Sequence, residues 1–258
     1  MITKPKDKPS CLSYKLLGMK FKSVVLLVLS IVIIHPKTGF SSETEKFYQF
    51  YLKGDMNSWA LSIDELKVNY ELSKKIVLLE ELVLGTYGLV GYYLGNEQKE
   101  QAATALKSGT YYLELLIGSK PNNQSYQALK GAFIGFELGL NPWKAPFIGP
   151  ESQTIINDAI KKAPNNPQTN FEYANLLFWS PKWVGGDKQK ALFYYKKTIV
   201  LLEQNKQTRQ WYYLWAYTAY ANALKTLGRA DDAHRVYQQI AAIEPEYEWV
   251  KKELLKEN

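Results

Sequence analysis

The chain has 258 residues, 46% hydrophobic and 22% charged, which excludes both a disordered tail and a mini-protein that needs staples to fold. Its formal charge of +7 would raise nucleic acid or an anionic membrane as partners, but Lys4, Lys6, Lys8, Lys15, Lys20, Lys22 and Lys37 face only Asp7 within residues 1–41. Taking those seven basic and one acidic side chains from the totals of 32 and 25 leaves 25 and 24 beyond residue 41, so the basicity belongs to the leader and no nucleic-acid partner is expected.

Within that leader, Val24 to Ile34 is an unbroken run of Val, Leu, Ile and one Ser, preceded by Lys20 and Lys22 and followed by a polar end that closes on Gly39-Phe40-Ser41. This is the order of a secretory signal peptide, and residues 1–41 are read as one. Eleven residues rise only ~16 Å as a helix, too short for a stable membrane span. Met19 opens a more ordinary signal start, which would make Met1–Gly18 an N-terminal extension. The only thiol, Cys11, precedes the apolar run, so the mature chain would have neither disulfides nor a lipid-bearing Cys. A soluble periplasmic or secreted product is expected.

From Ser42 onward the apolar residues recur at three- and four-residue spacing, as in Leu61, Leu66, Val68 and Leu72, then Ile76, Leu79, Leu82 and Val83. That period predicts an all-α body, residues 42–258. Helices of about 10–15 residues are expected between Gly, Pro, Asn and Asp punctuation at 53–55, 94–96, 120–123, 163–167, 185–187, 227–229 and 244–245. The segment Asn141-Pro142-Trp143-Lys144-Ala145-Pro146-Phe147-Ile148-Gly149-Pro150 carries three prolines in nine residues and is predicted to be an ordered loop held by Trp143, Phe147 and Ile148.

The chain also repeats itself. Tyr173-Ala174-Asn175-Leu176-Leu177 returns as Tyr220-Ala221-Asn222-Ala223-Leu224, and Pro121-Asn122-Asn123 returns as Pro164-Asn165-Asn166. In the helices that follow, Ala191 stands four residues before Tyr195 and Ala233 four before Tyr237. Over 124–258, and best in Tyr220, Ala221, Leu224, Gly228, Ala233, Tyr237 and Pro245, the chain resembles tetratricopeptide repeats; a degenerate copy is read over 80–120 through Gly88 and Gly95. The resemblance implies an α-solenoid of about four antiparallel helical hairpins. The insertion Pro181 to Ala191, with Gly185-Gly186-Asp187, is similar to secreted bacterial repeat proteins including the periplasmic T component of TRAP transporters.

No catalytic or metal site and no cofactor is expected: beyond the leader there is one His, His234, and no Cys, while Glu80-Glu81 and Asp231-Asp232 read as helix surface and helix start. Gly185-Gly186-Asp187 lacks the Lys and Ser/Thr of a phosphate loop and reads as a turn and cap. Binding is the better prospect. The ridge one residue beyond the small Ala174 and Ala221 gives Phe171, Asn175, Phe178 and Trp179 in one hairpin, and Trp215, Thr218, Asn222 and Lys225 in the next. On the concave face these would hold a peptide or protein of the cell envelope, the two amides pairing with peptide backbone and Trp179 and Trp215 acting as anchors. The alternatives are that the aromatics pack between hairpins, or that the chain is a small-molecule carrier beside a transporter. Tetratricopeptide proteins that grip a terminal carboxylate place a basic residue where this chain has Phe171 and Thr218, so an uncharged contact is implied.

Overall fold

A computed structural model describes residues 42–255, and the signal-peptide reading lies outside the described residues. Ten α-helices follow in order: α1 Ser42–Lys53, α2 Met56–Ser73, α3 Ile76–Gly95, α4 Lys99–Ser119, α5 Gln124–Leu140, α6 Ala145–Lys162, α7 Pro167–Trp179, α8 Lys188–Gln204, α9 Trp211–Thr226 and α10 Ala230–Ile243. Short 3₁₀ turns lie at Pro142–Lys144 and Lys182–Val184, and a π-helical turn at Val250–Leu254. Among the described residues there is no strand. Each helix packs on the next across a short turn, so neighbours run antiparallel and α3–α4, α5–α6, α7–α8 and α9–α10 form successive pairs.

The punctuation acts where its chemistry predicts. Asp55, Asn123, Asn166 and Asp187 each cap a helix by accepting a backbone N–H two or three residues on, from Ser58, Ser125, Thr169 and Lys190 at 2.9–3.1 Å. Gly185 has φ of +96° at the end of its 3₁₀ turn, a conformation that disfavours side chains. The helices nevertheless run 12–21 residues, longer than the sequence period implied. The two longest, α3 and α4, carry Gly85, Gly88, Gly91 and Gly109 inside them, where these residues admit neighbours instead of ending the element.

The proline-rich segment requires a correction. Pro146 sits in the first turn of α6, where its missing N–H has no intrahelical partner to lose, and Pro150 costs the helix one hydrogen bond near its start. Residues 145–150 are therefore helical, and Trp143 and Phe147 stand out into water instead of pinning a loop.

The first helices also meet the last. Arg209 forks onto Glu45, 164 residues away, with bonds of 2.8 and 2.7 Å, and holds that carboxyl below the usual carboxylate range. Tyr48 hydrogen-bonds to Glu244, and Tyr51 meets Trp211 and Tyr247 with ring centroids 6.0 and 5.4 Å apart. Behind them Trp59 donates from Nε1 to the Gly85 carbonyl at 2.9 Å and packs edge-on to Trp211 at 5.2 Å. Gly88 makes this approach feasible, because a Cβ there would lie 2.8 Å from Trp59 and 3.1 Å from Trp211.

Ala174 and Ala221 are completely buried at the pairing seams of α7 and α9. Ala174→Phe and Ala221→Phe should each destabilise the fold by about 1–3 kcal/mol through overpacking. Thermal melts of the two variants check this.

Candidate functional site

The face that a stack of hairpins would offer to a partner is filled by the protein's own rings. Helices α3, α5, α7 and α9 run in the same direction, and their inward side chains form one continuous aromatic set. Tyr87 of α3 meets Phe136 of α5 and Trp215 of α9 at 5.1 Å each, and Phe171 of α7 meets Tyr212 at 4.9 Å and Trp215 at 5.3 Å. Trp211 and Trp215 stack at 5.5 Å. Gly91 leaves room for Trp215, whose ring would lie 3.2 Å from an added Cβ.

At the centre of these rings stands a carboxyl group, Glu172, only 1% exposed. Oε1 accepts from the Tyr87 hydroxyl at 2.7 Å and from Gln168 Nε2 at 2.7 Å, while Oε2 accepts from Asn175 Nδ2 at 3.1 Å. Asn175 in turn accepts from the Tyr195 hydroxyl at 2.8 Å. The network thus joins α3, α7 and α8 through one acid. Burial pushes the Glu172 carboxyl up to about 7, against the opposing pull of the hydrogen bonds from Tyr87, Asn175 and Gln168. Burial and the nearby acid together raise the Tyr195 and Tyr212 hydroxyls well above their ordinary range. The Tyr212 hydroxyl is buried and makes no hydrogen bond among the described residues.

The predicted ridge divides between this core and the outside. Phe171 is completely buried, Phe178 is nearly so, and Trp215 is half-buried among rings, so these three face the protein interior. Asn175 and Asn222 share one role: each accepts from the hydroxyl of a Tyr on the second helix of its own hairpin, Tyr195 at 2.8 Å and Tyr237 at 2.6 Å. Each amide oxygen thus ties the two helices of a pair together, with Asn175 half-buried and Asn222 exposed. Thr218 is buried, and Lys225 and Trp179 are exposed, Trp179 standing at the end of α7. Glu172 was missed, although Gln168, Glu172 and Asn175 form a polar line at i, i+4 and i+7 along α7.

Beyond Trp179 the insertion folds back on itself. Gly186 N–H donates to Pro181 O at 3.1 Å and Asp187 N–H to Leu177 O at 2.8 Å, so these groups close a turn. Gln153 of α6 donates to Val184 O at 3.0 Å and pins the turn against the neighbouring hairpin. Trp183 projects from it, 86% exposed.

Among the described residues no group of three His, Cys, Asp or Glu side chains is placed to hold a metal ion. His234 is half-buried on α10. Helix α3 is long and apolar enough by composition to cross a membrane, and much of it is buried against α2, α4 and α5. Compared with known proteins, the chain matches no family model, no curated protein and no solved structure.

Because the folded protein holds the Glu172 proton up to about pH 7 while the unfolded chain loses it near 4.5, stability is greatest below that window and declines as pH rises through it. The loss amounts to about 3 kcal/mol, or roughly 6–12 °C in Tm, between pH 4.5 and 7.5. Glu172→Gln should flatten the melting profile there; Glu45, Asp55 and Asp232, held low by their partners, act below it. Tyr212→Phe removes an unpaired hydroxyl from the core and should raise stability by about 1 kcal/mol, read from the same melts.

Proposed function

We propose that the chain is an exported, non-catalytic scaffold of tetratricopeptide-like hairpins, stacked as a short α-solenoid, that binds a peptide or protein of the cell envelope. With the inner face occupied by its own rings, the partner is met from outside. The observation that carries this reading is the outward side of α2. Leu61, Val68 and Leu72 follow one another at seven and four residues, so they lie along one stripe of the helix with the exposed Glu65 between the first two, and each of the three is more than half exposed. Trp59, Ile63, Leu66 and Tyr70 fill the opposite side. An apolar stripe on a firmly seated helix is the surface against which a partner helix packs.

A second reading, a small-molecule carrier beside a transporter, draws on a cavity of about 350 Å³ between α2, α3 and α4. Ile63, Leu89 and Tyr93 give it apolar walls, with Asp64, Gln101 and Ser108 at its polar edge. The stripe supports the first reading more directly, because Thr86 and Thr104, also at the cavity, donate their hydroxyls to their own helices at Leu82 and Glu100.

A photo-crosslinking residue placed at Val68 in the native host should give a discrete adduct with an envelope protein. The same residue at the exposed Lys196 of α8 should give none. Absence of a Val68-specific protein adduct would contradict the proposal.

A further inference from the structure

A second exposed surface differs from the α2 stripe in kind. Trp143 and Phe147 precede and open α6, while Trp179 and Trp183 close α7 and top the following turn; all four are 68% to 86% exposed. Because α6 and α7 are antiparallel, the start of one and the end of the other lie at the same end of the bundle. The Gln153 bond to Val184 fixes the distance: Gln153 stands six residues after Phe147, about 9 Å along α6, and its partner is the neighbour of Trp183. Two segments far apart in sequence therefore put four large rings at one edge.

Cations outnumber acids at that edge by a small margin: Lys144, Lys182, Lys188 and Lys190 stand with Asp187, with Glu137, which pairs with Lys144, and with the exposed Glu151 of α6, and the exposed Lys182, Lys188 and Lys190 have no acid paired to them among the described residues. Asp187 is held as the cap of α8. Lys144 pairs with Glu137 and lies 5.6 Å from the Trp143 ring, while Lys188 lies 5.1 Å from the Phe178 ring, so both ammonium groups stand beside aromatic faces.

We propose that this end of the protein docks on an anionic lipid surface. Trp143 and Trp183 stand on the two short turns and Phe147 and Trp179 on the adjoining helix ends, so the rings are presented at one end of the bundle, where an interface that takes up individual aromatic side chains can meet them. Trp is the side chain that most favours the headgroup level, and Lys stems carry their charge back to the phosphates. The contact is peripheral, needs no membrane span, and leaves the α2 stripe available.

The full-length chain, mixed with vesicles of phosphatidylglycerol and phosphatidylcholine, should sediment with them, and lipids brominated in the acyl chain should quench part of its Trp emission. The variant Trp143→Ala, Trp179→Ala, Trp183→Ala should bind about tenfold or more weakly and lose that quenching, with its far-ultraviolet circular dichroism unchanged. Since the apolar leader is present in both proteins, only the difference between them reports on this edge. If the triple variant misfolds, Trp183→Ser alone, at the most exposed ring, gives the comparison. Lys182→Glu with Lys188→Glu should weaken binding and abolish its salt sensitivity. Unchanged binding by the Trp variants, or equal binding to pure phosphatidylcholine, overturns the proposal.

Discussion

A carboxylic acid among aromatic rings, with three donors aimed at it, is the constraint on which the rest of this structure depends. An ionised Glu172 without those donors would cost several kcal/mol in such surroundings, so Tyr87, Gln168 and Asn175 must be present and placed. Each comes with its own requirement. Tyr87 needs α3 to lie against α7, and Asn175 is oriented by Tyr195 of α8. The acid thereby specifies which helices meet and in what register, something a purely apolar core of the same rings would specify less sharply. The hydroxyl of Tyr212 is left without a bond among the described residues, and it marks where the arrangement is least complete.

Most of the aromatic content lies in two places, with Tyr111 and Phe193 exposed on the outer sides of α4 and α8. Rings on the inward sides of α3, α5, α7 and α9 close the space between hairpins, and the clasp of α1 and α2 on α9 completes the enclosure through Trp59, Tyr51 and Trp211. Rings at the turns, Trp143, Phe147, Trp179 and Trp183, remain in water. Concentration of the exposed rings at one end, beside lysines, separates them from residual surface hydrophobics, which occur singly on any protein.

Helical period, caps and paired hairpins were legible in the sequence because they arise from local rules: apolar spacing, Asn and Asp at helix starts, and a small residue where two helices cross. The Asn175 and Asn222 echo was equally visible, but its meaning was not. A polar residue repeated on a helix ridge suits a ligand contact and an intra-hairpin tie alike, and the tie becomes visible only once Tyr195 and Tyr237 are placed opposite the two amides. Pro150 misled because three prolines in nine residues suggest a loop, whereas α6 begins between the first and the second and carries the other two near its start, where proline is best tolerated. The clasp between Glu45 and Arg209 had no local signature, since it joins residues 164 positions apart.

That clasp also allows the most direct test, because an enclosed inner face requires the first helix to sit on the last hairpin. Spin labels at Lys46→Cys and Thr208→Cys, exposed neighbours of Glu45 and Arg209, introduced in a Cys11→Ser chain, report the separation by double electron–electron resonance. A single short and narrow distance is predicted, at pH 6 as at pH 8. A long, broad distribution would describe an open stack of hairpins with an accessible concave face, and would contradict the account.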